Sequence, residues 1–69
     1  MTLEDSIAEW WYQWGIVHAN GYDHRIHHYK LWKLCPVICK PDTFRRTLAR
    51  IVQRDSNHYG QDRGRYWVY

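Results

Sequence analysis

Residues 41–69 read PDTFRRTLARIVQRDSNHYGQDRGRYWVY, and the spacing of the apolar side chains changes partway along. From 42 to 54, Phe44, Leu48, Ile51 and Val52 fall on one face of a helix that turns about 100° per residue. Asp42 is the expected N-cap, and Pro41 keeps the preceding chain out of the helix. Asp55-Ser56-Asn57 ends it. Beyond lie two β-prone runs, His58-Tyr59 and Tyr66-Trp67-Val68-Tyr69, joined by the glycine-bracketed turn Gly60-Gln61-Asp62-Arg63-Gly64. This predicts a hairpin over 58–69, with its C-terminal strand paired back onto the body.

Toward the N-terminus, Thr2 and Asp5 have the spacing of a capping box. Ile7, Trp10, Trp11, Trp14 and Val17 then recur at helical spacing, and Asn20-Gly21 is a stop signal. A helix over roughly 3–19 is expected. Gly15 costs such a helix about 1 kcal/mol relative to alanine, which points to close packing there. Between 22 and 35, Arg25-Ile26-His27 reads as a short strand or a helix start. Tyr29, Leu31, Trp32 and Leu34 read as a short buried helix ended by Pro36. Residues 36–41, bracketed by two prolines, form a tight connection.

The chain has 69 residues, room for one domain over 1–69. That is close to the lower limit for a single unaided core. Five Trp and six Tyr compensate, since each aromatic buries roughly 150–250 Å². The net charge is +3, but its distribution is more telling. Residues 1–34 hold three basic side chains (Arg25, Lys30, Lys33) against four acidic ones. Residues 35–69 hold seven (Lys40, Arg45, Arg46, Arg50, Arg54, Arg63, Arg65) against three. Six of the seven are arginines, whose planar fork suits phosphate and guanine. This segregation points to a scaffold carrying a basic working face; a merely solvated helix face is the alternative.

The order helix, short strand, short helix, connection, basic helix, hairpin resembles the winged helix-turn-helix family of DNA-binding domains. The strongest pieces are LWKLCPVICKPDTFRRTLARIV (31–52) and GRYWVY (64–69), which are similar to small winged-helix proteins of phages and mobile elements. The resemblance implies an α+β fold of three helices and a C-terminal β-hairpin wing. It implies a recognition helix at 42–54 in the major groove and a wing over 58–69, centred on 60–65, against backbone or minor groove. The CPVICKP connection departs from the pattern, being longer than the tight turn of many such proteins. The residues themselves agree with the resemblance. Arg46, Ala49, Arg50 and Gln53 form a polar face that can read guanine and adenine edges, with Ala49 small enough for close approach. Arg45 and Arg54 flank that face. Lys40 adds charge before the helix, and Thr43 suits a phosphate at the helix start. Arg63 and Arg65 suit phosphates or a narrow minor groove. The expected partner is double-stranded DNA, and the expected role is transcriptional regulation or DNA architecture.

Other constellations are weaker. His24, His28, Cys35 and Cys39, with His27 nearby, carry zinc-type donors, but Cys-x3-Cys enclosing a proline is a poor zinc spacing. The expectation is two buried thiols, no metal and no cofactor. There is no nucleophile elbow, phosphate-binding glycine loop or paired-carboxylate motif, so an enzyme is not expected. Trp10, Trp11, Tyr12 and Trp14 cannot all be buried on one side of a helix, and Tyr12 is expected to point away from the core. Exposed aromatics are enriched at interfaces, which supports a homodimer through the first helix. It also supports the alternative function, a small phage-type protein that inhibits a host protein through its aromatic and basic surface. The polar, acidic N-terminus lacks a leader pattern, and no apolar run is long enough to span a membrane. A cytoplasmic location without membrane attachment is therefore the expectation, with no disulfide in that compartment.

Overall fold

A computed structural model describes residues 1–18 and 20–69. In order come α1 (Leu3–His18), a 3₁₀ turn (Tyr22–His24), β1 (Ile26–His27), α2 (His28–Leu34), α3 (Pro41–Arg54), β2 (Tyr59–Asp62) and β3 (Arg65–Val68). The described residues thus form an α+β fold of three helices and a three-stranded antiparallel sheet, compatible with a small winged-helix architecture. The strand order is β1-β3-β2, so the strand nearest the chain end is the central one. Ile26 and His27 pair with Tyr66 and Arg65, and Tyr59–Asp62 pair with Val68–Arg65. The choice left open at Arg25–His27 resolves as a two-residue strand.

The Thr2–Asp5 capping box forms, with the Asp5 amide donating to Thr2 Oγ1 at 3.2 Å. The helix follows as expected through His18, and the expected end at 19 lies outside the described residues. Its buried face is different from the expected one. Ile7, Ala8, Trp11 and Gly15 are buried, whereas Trp10 and Trp14 are only partly covered and Val17 is 73% exposed. The cause is Gly15. A Cβ there would collide with the Val68 side chain, so β3 packs directly on the α1 backbone. The helix therefore turns its small residues inward, at the expense of Trp14 and Val17.

Two further expectations are corrected. Asp42 does not cap α3: the N-cap is Lys40, without a side-chain cap, and Pro41 is the first helical residue. An N–H at that position has no intrahelical acceptor anyway, so proline loses nothing there. Asp42 sits in the first turn, where a carboxylate favours the helix dipole. Gly60 is not part of a turn. It pairs with Trp67 within β2–β3, and the Trp67 indole occupies the space a Cβ would need. The turn itself is Arg63-Gly64, with φ of 51° and 79°. Left-handed dihedrals at both central residues match the twist of the flanking strands.

The core contains Ile7, Trp11, Leu31, Phe44, Leu48, Ile51, Tyr59, Tyr66 and Val68. Trp11 packs against Tyr59 (4.4 Å between ring centroids) and Tyr66 (5.9 Å). Tyr59 donates its hydroxyl to the Ala8 carbonyl at 3.1 Å, which joins α1 to the sheet. On α3 the expected apolar face is buried apart from Val52, which is half-buried. Thr47 joins it, its hydroxyl donating to the Thr43 carbonyl at 2.7 Å. Of the helix read at 29–34 as buried, only Leu31 is; Tyr29 and Leu34 are exposed. The long connection to α3 is held by Trp32, whose Nε1 donates to the Cys39 carbonyl at 2.8 Å.

Candidate nucleic-acid interface

The buried face of α3 fixes its outward one. Opposite Phe44, Thr47, Leu48 and Ile51 lie Arg46 and Gln53, both exposed, with half-buried Ala49 between them. Seven residues separate Arg46 from Gln53, two turns on one face. Arg45 lies on the flank toward α2 and the sheet. Thr43, Arg50 and Arg54 lie on the other flank, toward the start of α1, and Lys40 is exposed just before the helix.

The two flanks differ in charge state. Arg50 Nε donates to Glu4 at 3.0 Å, and one terminal nitrogen of Arg54 reaches both Glu4 (2.9 Å) and Asp5 (3.3 Å). The Asp5 carboxyl is held below its ordinary value, first by hydrogen bonding to Thr2 and then by Arg54. Acids that read as a helix-start signal therefore also occupy two of the arginines assigned to the DNA face. Arg45 lies 3.9 Å from Asp42. Among the described residues, no carboxylate comes within ion-pair distance of Lys40, Arg46, Arg63 or Arg65.

Arg63 occupies the turn, exposed, and Arg65 begins β3, also exposed. The turn is anchored to the start of α2, where the His28 amide donates to the Gly64 carbonyl at 3.0 Å. His27 pairs in register with Arg65 across β1–β3. Burial, then His27, then Arg45 push the His28 imidazole below its ordinary value, so Arg45 reaches the same corner. His27 and His28 thus meet beside the turn, with Arg65 opposite His27 in the sheet. The two histidines were grouped by sequence with zinc donors, and no local signal links them to the wing. Gly64, from the far end of the chain, makes that link.

Other expected sites lie elsewhere. His58, in the first run of the expected hairpin, is at its open end, opposite the turn. Its Nδ1 faces the Asp55 carboxylate at 2.9 Å. No group of three His, Cys, Asp or Glu side chains comes together to hold a metal among the described residues. Cys35 and Cys39 are partly buried free thiols, and burial pushes both upward in pKa. Tyr12 does not point away from the core. It is half-buried, with its ring edge-on to His58 and Tyr59 at 5.8 and 6.2 Å. Trp10 and Trp14 stack on each other at 5.6 Å, beside exposed Val17. No helix is long and apolar enough to cross a membrane among the described residues. No protein-family model, curated protein or solved structure matches the chain.

Proposed function

We propose that the protein binds double-stranded DNA, reading the major groove with the outer face of α3 and holding the backbone with the β2–β3 wing. The observation that carries this reading is the basic surface of α3 and the wing: Arg46, sharing its helix face with Ala49 and Gln53, and Arg63 and Arg65 are exposed, with no carboxylate within ion-pair distance among the described residues. Arg46 can donate two hydrogen bonds to guanine O6 and N7, Gln53 can pair with adenine, and Ala49 leaves room for close approach. Arg63 and Arg65 lie on an exposed turn and strand end, suited to phosphates. Lys40 and Thr43 extend the phosphate contacts to the start of α3. Arg50 and Arg54, being tied to Glu4 and Asp5, act mainly as struts between α1 and α3. Regulation of transcription or shaping of DNA is the role such a module would serve.

Selection of bound duplexes from a random pool tests this reading. Arg46→Ala should lose roughly 1–3 kcal/mol on the preferred sequence and relax preference at one base pair. Arg63→Ala should weaken all duplexes alike and flatten the salt dependence by about one unit. If neither substitution alters duplex affinity in folded protein, the basic side serves a protein partner instead. The half-exposed Trp10–Trp14 stack beside Val17 favours that second reading, or a homodimer through α1. Size-exclusion elution with and without duplex separates them, and a dimer would require half-sites about one helical turn apart.

A further inference from the structure

The corner where the wing meets α2 has a property that the basic side alone does not supply. The His27 and His28 rings lie 4.3 Å apart, tilted by 31°. Both lie beside Gly64: a Cβ there would sit 3.5 Å from His28 Cδ2 and 3.8 Å from His27 Nε2. His27 Nδ1 accepts from the Tyr29 amide at 3.2 Å, so in the neutral ring the proton is on Nε2. Around the pair stand Arg65, opposite His27 in the sheet; Asp62, opposite Arg65; Arg45 from α3; Arg63 in the turn; and Tyr66, buried behind Arg65. Asp62 makes no ion pair with any of these cations among the described residues, whereas Asp42 lies 3.9 Å from Arg45. The corner therefore gathers two imidazole rings and three arginines against two carboxylates, of which only Asp42 comes within ion-pair distance of one of the cations.

Resting on the DNA-binding reading, we infer that His27 and His28 hold a DNA phosphate beside the wing, His27 donating from Nε2 and His28 taking up a proton as the phosphate arrives. In the free protein burial, and then the nearby His27 and Arg45, disfavour the protonated His28 ring. A phosphodiester against the two rings adds negative charge there and reverses that preference. A phosphodiester does not titrate near neutral pH, so the proton comes from solvent and binding consumes it. A bound-state pKa raised by one unit corresponds to about tenfold in affinity between the two protonation states.

The test is titration calorimetry with a random-sequence duplex at low salt. It is run at pH 7 in two buffers of unlike ionisation enthalpy, with affinities also measured at pH 6 and pH 8. The expected result is a buffer-dependent enthalpy that reports proton uptake, and affinity about three- to sixfold tighter at pH 6 than at pH 8. His28→Gln should abolish the uptake and reduce the pH effect to under about twofold. His58→Gln, at the opposite end of the hairpin, should leave both as in the wild type. Duplex binding by the wild type without proton uptake would overturn the histidine assignment while leaving DNA binding intact. So would uptake that survives both His27→Gln and His28→Gln. No duplex binding at either pH would remove the DNA reading, and this inference with it.

Discussion

Gly60 shows how one residue can carry the wrong signal when read locally. A glycine four residues from another, with polar neighbours between, reads as one edge of a turn. In the fold it is a strand residue whose missing side chain seats the Trp67 ring, an aromatic covering a strand glycine. Gly60→Ala is accordingly expected to destabilise the protein by about 1–3 kcal/mol, because the indole is rigid and its strand is central. Gly15 makes the same point on a helix. Alanine there gains about 1 kcal/mol in helix propensity, but the added methyl meets the buried Val68 side chain. The expected outcome is a net loss for Gly15→Ala as well. Urea midpoints at unchanged slope would check both, and a stabilised Gly60→Ala would mean that Trp67 does not sit over that position.

Among the elements, α3 was the most legible and also the most misleading. Its length, its apolar face and its basic outer side are all periodic features of the sequence. Which arginines are available was not, because that depends on where α1 begins in space. Glu4 accepts from both Arg50 and Arg54, whose side chains remain 62% and 47% exposed. Ion pairs this exposed are worth little, so Glu4→Gln should cost less than about 1 kcal/mol in a urea melt. On the DNA-binding reading it should also free Arg50, while Arg54 keeps Asp5, tighten duplex binding and steepen its salt dependence by about one unit. A salt titration of both proteins decides this. Unchanged affinity would show that the α1-facing flank never reaches DNA.

At the scale of the whole molecule, His28 links folding to pH. Folding lowers its proton affinity, through burial first and then the nearby His27 and Arg45. The unfolded chain therefore binds a proton more readily than the folded one. Stability from this group is complete above the unfolded value near 6.5 and declines as pH falls below it, levelling off beneath the folded value. Thermal melts from pH 8 to pH 5 should show this decline, and His28→Gln should flatten it. DNA affinity is expected to move the opposite way over the same interval, since phosphate favours the protonated ring. The two trends come from one side chain in two environments.

The sequence by itself determined the order of elements, the α+β class, the capping box, the periodic face of α3 and the presence of a hairpin. Those features follow from local spacing and local backbone preference, which neighbouring residues carry without help. Only the tertiary structure decided which face of α1 is buried, since that depends on Gly15 meeting Val68 from the other end of the chain. It decided that Arg50 and Arg54 face acids, that Tyr12 packs inward, and that His27 and His28 adjoin the wing. Each of these contacts joins residues far apart in sequence. Their geometry is set by how whole elements pack, so no short stretch of the chain contains it.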